Sequence, residues 1–480
     1  MPGVVTAPEA GDGGGVEHPS VADRVAAGKA ARERAPRSSL GRWEAAPDRT
    51  DPIALLEEQA RTRVPELVPI RYGRMLVSPL AFFRGAAYVM AADLAGAPRT
   101  GLRAQLSGDA HLSNFGIFAA PDRRLVFGPN DFDETLPGPF EWDVKRLVAS
   151  FAVAGRERGF DERERRRVSL AATRSYRLAM RRFARARTLD VWYARLEVEE
   201  IAARWGREVQ AGDLARAERD VAKARAKDHL RALNRLTALV DGQRRIVSDP
   251  PLIVPIEELV ASGDSDRLVA SIRSVYRLYR RTLLDDRRRL LERFRYTHAA
   301  RKVVGVGSVG TRVWVLLLLG ERDDDPLFLQ LKEAQASVLE PFLGRSEFAN
   351  HGQRVVEGQR LTQAAVDTML GWTRAPDIEG SGEEQDYYVR QLWDGKASAN
   401  VDQLDQRSME VYAEICGWTL AHTHARSGDR IAIAAYLGRS DTFDTALAQF
   451  AEHYADQTER DFTALQAAAA AHRIPVLKGL

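Results

Sequence analysis

The chain has a single cysteine, Cys416, in 480 residues. That excludes an internal disulfide framework and a cysteine-based zinc site, and it fits a reducing compartment. No apolar run approaches the ~18–20 residues that a membrane span requires, and WVLLLLG at 314–320 is far too short. No excess of one charge is present either. The 70 Lys and Arg face 67 Asp and Glu, a net +3, so composition offers no argument for nucleic acid as a partner. The opening residues, MPGVVTAPEAGDGGGVEH, are rich in Gly, Pro and Ala and contain no apolar core of a signal peptide, so the expected location is cytoplasmic. No internal repeat is visible.

What is there is ordinary globular material, 45% hydrophobic and 29% charged, long enough for two or three domains or one large bilobal unit. Residues 1–50 lack periodicity and are expected to form a disordered tail. A helix should begin at Asp51-Pro52, and LAFFRGAAYVMAADLAG (80–96) reads as an apolar helix ending near Gly96. Short strands are expected at QLSG (105–108) and LVFGP (125–129). Residues 143–247 show apolar positions at intervals of three and four, and helices should continue to about 297. At about 301 the texture becomes β-branched and Gly-rich. KVVGVGSVGTRVWVLLLLG, a turn at DDDP and LFLQLKEA predict a three-stranded antiparallel meander, followed by a helix within 334–366 and a strand at YYVRQLWDG. Helices return from about 402.

Gly305, Gly307 and Gly310 in GVGSVGT give a G-x-G-x-x-G spacing. A dinucleotide-binding fold would need a helix directly afterwards, but RVWVLLLLG reads as a strand. Glycines in a β-hairpin let backbone pack over phosphates, here through Gly305, Gly307, Ser308 and Gly310; a plain Gly-rich turn is the simpler alternative. Lys332, in the strand FLQLKEA, is costly to bury without a partner. A phosphate-contacting lysine of this type pairs with a helix Glu; Glu357 in GQRVVEGQRL is preferred over Glu340.

The stretch SGDAHLSNFG (107–116) places Asp109 and Asn114 five residues apart, the spacing of a catalytic Asp and a magnesium-holding Asn on one short loop. A second metal-binding Asp should follow a hairpin. Asp131 in NDFDE is preferred and Asp133 competes. Asp143, in FEWDVKRL, opens a helix and either caps it or braces the loop.

GDAHLSN resembles the G-D-x-H-x-x-N loop of aminoglycoside and choline phosphotransferases, which share the protein-kinase fold. NDFDE followed by PFEWDVKRL resembles the metal-binding segment of that family. From about 70 to 470 the chain also resembles a bacterial family, domain of unknown function 2252, through SPLAFFRGAA, GDAHLSNFG, NDFDETLPGPFEWDVKRL, GVGSVGTR, LKEA, VVEGQRL and AHTHARSGD. The resemblance to the phosphotransferases implies Asp109 as base, His111 as a residue shaping the loop, Asn114 and Asp131 as metal ligands, a glycine loop at 305–310 and Lys332 on the phosphates. In kinases the glycine loop and Lys precede the catalytic loop; here they follow it by roughly 200 residues. The fold expected is therefore α+β, bilobal and kinase-like, with a mostly helical large lobe, a small antiparallel-sheet lobe and a circular permutation. Residues 51–300 would form the large lobe with the catalytic loop, 301–400 the small lobe, and 401–480 the helices that complete the large lobe. The activity implied is ATP- and Mg²⁺-dependent phosphoryl transfer to an unidentified hydroxyl acceptor, small molecule or protein.

Two other readings use some of the same letters. A two-metal phosphoesterase could draw on Asp109, His111, Asp131, His351, His422 and His424. It leaves the glycine loop, Lys332 and Asp143 unexplained. A non-catalytic nucleotide-binding module is the third. Arg71, Arg74 and Arg84 precede the loop and could bind an anion or form structural ion pairs.

Overall fold

The computed structural model describes residues 18–209, 211–225, 229–259, 265–376, 378, 383–392 and 395–479. Within the expected tail, Val21–Arg34 form helix α1. Ser20 and Asp23 close a reciprocal capping box on it. Sequence periodicity misses this helix because small residues dock it: a Cβ on Gly28 would lie 2.1 Å from the Ala432 carbonyl oxygen. Arg32 and Arg37 then donate to the carbonyls of Tyr436 and Leu437. Helix α2 (Pro52–Ala60) starts as its residues predict, with Asp51 accepting the Ile53 N–H. After α3 (Val68–Met75), the stretch expected as one helix forms two, α4 (Pro79–Gly85) and α5 (Ala87–Ala95), because Ala86 leaves the helical conformation.

Strand β1 (Arg103–Leu106) pairs antiparallel with β4 (Leu136–Pro139), and between them β2 (Phe115–Ala119) and β3 (Leu125–Pro129) form a hairpin. Helices α6 (Phe140–Glu157) and α7 (Glu162–Phe183) follow. The next region holds α8 (Thr188–Tyr193), α9 (Val198–Trp205), α10 (Ala211–Arg225) and α11 (His229–Leu236), but strands interrupt the expected helical run. These are β5 (Leu196–Glu197), the hairpin β6 (Thr237–Val240) and β7 (Gln243–Ile246), and β8 (Ile253–Pro255). The hairpin turns on Asp241-Gly242, both with positive φ, a turn dipeptide legible in the sequence. Helices α12 (Ser265–Arg280) and α13 (Asp285–Leu291) lead into the meander β9 (Arg295–Lys302), β10 (Val313–Leu319) and β11 (Pro326–Glu333). Then come α14 (Glu340–Leu343), α15 (His351–Thr362), β12 (Gly371–Pro376), β13 (Glu384–Gln391), α16 (Gln406–Ser427), α17 (Arg430–Leu437) and α18 (Thr442–Ala470).

The main sheet is antiparallel with strand order β12-β13-β11-β10-β9-β8. It recruits chain from before residue 301, the expected boundary. Side chains alternate between its faces. One face, with Leu329, Leu331, Trp314, Leu316 and Val389, is covered by Ile272, Val275 and Tyr279 of α12. On the other face, Val315, Leu317 and Phe328 pack under Ala232, Leu233 and Leu236 of α11. Further along that same face the register aligns Val313, Lys332 and Tyr388, so an apolar surface becomes ionisable along the strands. A separate, larger core joins α6 and α7 to α16, α17 and α18 through Phe140, Tyr176, Leu420, Phe443 and Phe450. Helices from both ends of the chain thus complete one hydrophobic unit. The fold is mixed α+β.

Candidate functional site

A cleft of about 1270 Å³ collects Asp109, His111, Asn114, Asp131, Asp133, Gly305, Gly307 and Ser308. Three segments build it, two flanking one hairpin and the third far away in sequence. The first is the turn between β1 and β2. Gly108 adopts φ +84°, and a Cβ there would fall 2.2 Å from the Glu134 carbonyl oxygen, so a side chain is excluded. Asp143, in the first turn of α6, accepts the N–H groups of Ser107 and Gly108 at 2.7 and 3.0 Å. It braces the loop. Behind it, the His424 ring nitrogen lies 3.2 Å from Asp143, and the Tyr176 hydroxyl meets the other ring nitrogen at 2.8 Å.

On this turn the Asp109 carboxylate is held by Arg146 of α6 at 2.8 Å. Burial raises its pKa against the pull of Arg146. His111 accepts the Ser113 N–H through Nδ1, and its Nε2 lies 3.7 Å from Asp109. Burial, with the charges of Arg146 and Arg84, keeps this ring neutral well below the usual histidine range. The Asn114 amide nitrogen donates to the Asp109 carbonyl at 2.9 Å, leaving the amide oxygen as the hard donor a divalent cation would take.

The second segment, residues 130–134, follows β3. Asp133 forms an ion pair with Lys332 and accepts the Tyr388 hydroxyl at 2.8 Å. Lys332 also donates to the Ser308 hydroxyl at 2.7 Å. Burial alone would raise the Asp133 carboxyl, but Lys332 and Tyr388 outweigh it and hold it below the usual range. The Lys332 ammonium is correspondingly held above its ordinary value despite burial, chiefly by Asp133. Asp131 is pushed up by burial and by the neighbouring Asp133 charge. Arg354 of α15 pins the segment by donating to the carbonyls of Asp133, Thr135 and Gln335 at 2.7–2.8 Å.

The third segment is the glycine-rich connection between β9 and β10. Gly305 and Gly310 adopt φ +69° and +93°. It is fastened from below: the Val64 N–H donates to the Gly310 carbonyl at 2.8 Å, and Arg74 donates to the Gly305 carbonyl at 2.5 Å.

Glu357 is not the partner of Lys332. It pairs with Arg360 at 2.9 Å and stays one-third exposed, because α15 presses Gly358 onto Thr135 and turns Arg354 and Val355 inward. Glu340 accepts the Ser337 N–H instead. Asp133, the weaker sequence candidate, meets the lysine. The six residues of the two-metal set do not come together. His351 lines the cleft, but His422 is directed at the Val191 carbonyl and stacks on Trp418, and His424 lies beneath the loop. Among the described residues no group of three or more His, Cys, Asp or Glu is arranged to hold a metal. Sequence reasoning did not find Arg146, Arg354 or Tyr388. Strand alternation puts Tyr388 and Arg390 on one face, a usable signal for Tyr388; no local pattern marks either arginine.

The fold and cleft define a mixed α+β protein whose ionised centre is assembled from a helix-braced turn, an acidic loop and a glycine-rich strand connection. The chain belongs to the bacterial family described as an uncharacterized protein conserved in bacteria, domain of unknown function 2252 (DUF2252), whose pattern matches residues 63–468. No curated protein and no solved structure matches it. Among the described residues, no helix is long and apolar enough to cross a membrane.

Proposed function

We propose that this chain is an ATP- and magnesium-dependent phosphotransferase on a circularly permuted, bilobal kinase-like fold. One observation carries the reading: Lys332 joins Ser308 of the glycine-rich connection to Asp133 of the acidic loop, at the edge of the cleft that holds Asp109. A kinase-type centre needs a glycine loop over phosphates, a third-strand lysine, a metal-binding Asp and a catalytic Asp-Asn loop. Here the glycine connection lies between the first two strands of the meander, Lys332 is on the third, and the short helix α14 and then helix α15 follow. The core shared by α6, α7 and α16–α18 supports the permutation, since it makes one lobe from two distant parts of the chain.

The donors present fit magnesium. Asn114, Asp131 and Asp133 offer hard oxygen ligands too few for a closed cage, as suits an ion that takes its other ligands from phosphates and water. When bound, Mg²⁺ would neutralise charge on the phosphates. Lys332 would exchange part of its contact with Asp133 for phosphate oxygen. Asp109, held by Arg146, would orient the acceptor hydroxyl. The acceptor oxygen bonds to the γ-phosphorus as the bond to the β–γ bridging oxygen breaks. ADP leaves with the bonding pair, and the hydroxyl proton passes to Asp109 or on to water. A cytoplasmic location, where ATP is found, agrees with the lone buried Cys416.

Thermal-shift titration with ATP, with and without Mg²⁺, tests this on wild type and Lys332→Met. Magnesium-dependent stabilisation of the wild type, reduced at least about tenfold in apparent affinity in the variant, is expected. No response of the wild type to ATP would overturn the reading.

A further inference from the structure

Three arginines precede the catalytic loop in sequence, and the structure separates their roles. Arg71 donates to Gln59 and to the Gly85 carbonyl, at 2.5 and 3.0 Å. Arg74 holds the glycine connection. Arg84, near the end of α4, lines the cleft with Asp109. Among the described residues no hydrogen bond or close ion pair engages its guanidinium, and its buried Nε lacks a partner. Asp109, which shares the cleft with Arg84, is already taken by Arg146 at 2.8 Å. Arg84 also sits against the glycine connection: a Cβ on Gly307 would lie 3.4 Å from the Arg84 carbonyl oxygen. The backbone of Arg84 thus abuts the loop that would cover the phosphates, and the residue lines the same cleft as the Asp that would face the acceptor. Burial disfavours the Arg84 charge, with Asp109 and Asp402 opposing that effect.

We propose that Arg84 clamps the γ-phosphoryl group of the nucleotide during transfer, an arginine supplied by the same chain. This rests on the phosphotransferase reading and names the residue that meets the migrating group. Charge in the transition state spreads over three equatorial phosphoryl oxygens, and a guanidinium fork can bind two of them at once. Arg84 gives up no proton and forms no covalent bond. Its contribution is charge placed where the P–O bond to ADP is breaking.

Isothermal calorimetry with Mg·ATP and Mg·ADP on wild type, Arg84→Lys and Arg84→Met tests the assignment, with unfolding midpoints confirming that each variant folds. Wild type should bind Mg·ATP at least about tenfold tighter than Mg·ADP. Arg84→Met should erase that ratio while leaving ADP affinity within about twofold, and Arg84→Lys should keep part of it. Single-turnover ATP consumption should fall about a thousandfold in Arg84→Met. An unchanged ATP/ADP ratio in both variants, or an equal loss for both nucleotides, would overturn the role of Arg84 while leaving nucleotide binding intact. Absence of any nucleotide binding by the wild type would instead bring down the phosphotransferase reading, and the assignment with it. Should Arg84→Met not fold, the lysine variant, which keeps the charge but loses the fork, decides by the same ratio.

Discussion

Lys332 and Asp133 illustrate how much a buried charge depends on one partner. The lysine side chain is 3% exposed and Asp133 24% exposed. Removing one member leaves the other buried and uncompensated, which costs more than the pair itself contributes. Asp133→Asn should therefore lower stability by about 3 kcal/mol in urea unfolding, whereas adding Lys332→Met to it should restore part of the loss. Strict additivity of the two changes would show that the pair is not coupled.

The element that matters most is the turn from Ser107 to Asn114, and its order comes from helices rather than from its own residues. Asp143 on α6 accepts two of its N–H groups, and His424 on α16 stands behind Asp143. In Asp143→Asn a donor amide replaces an acceptor oxygen beside those N–H groups, at an expected cost of about 2 kcal/mol. Hydrogen exchange should accelerate at residues 107–114 and stay unchanged in β10 and β11. Uniform protection across the loop in the variant would mean that the brace is dispensable. At the same scale, α11 fills the apolar part of the inner sheet face. The open volume therefore lies under the glycine connection, against α2 and α4.

Across the molecule, buried neutral histidines make stability depend on pH. Burial pushes His422 down to about 4 from 6.5, with Arg426 adding to the shift. Between those values the unfolded chain binds the proton and the folded chain does not, so stability rises with pH across that window and is complete above it. The His422 contribution lost on going from pH 7 to pH 4 is about 3 kcal/mol. His422→Gln can still donate to the Val191 carbonyl but cannot be protonated, so the wild type should lose about that much more than the variant over the same range. Parallel urea-unfolding curves at both pH values would contradict this.

The sequence by itself determined what neighbouring residues can decide. The Asp109–Asn114 spacing, the Asp51-Pro52 helix start, the second and third strands of the meander expected from about 301 and the α+β class follow from local backbone geometry and side-chain period, which act over a few residues. Even there, Asp241-Gly242 was a legible turn inside a region read as helical. Only the tertiary structure chose the partners. Lys332 meets an aspartate 199 residues earlier rather than the nearby Glu357. Asp143 meets a histidine 281 residues later, and α1 docks through Gly28 rather than through an apolar stripe. Such pairings depend on which surfaces the packed cores bring face to face. A carboxylate already pressed against a buried ammonium excludes its competitors by geometry, and no pattern along the chain records that outcome.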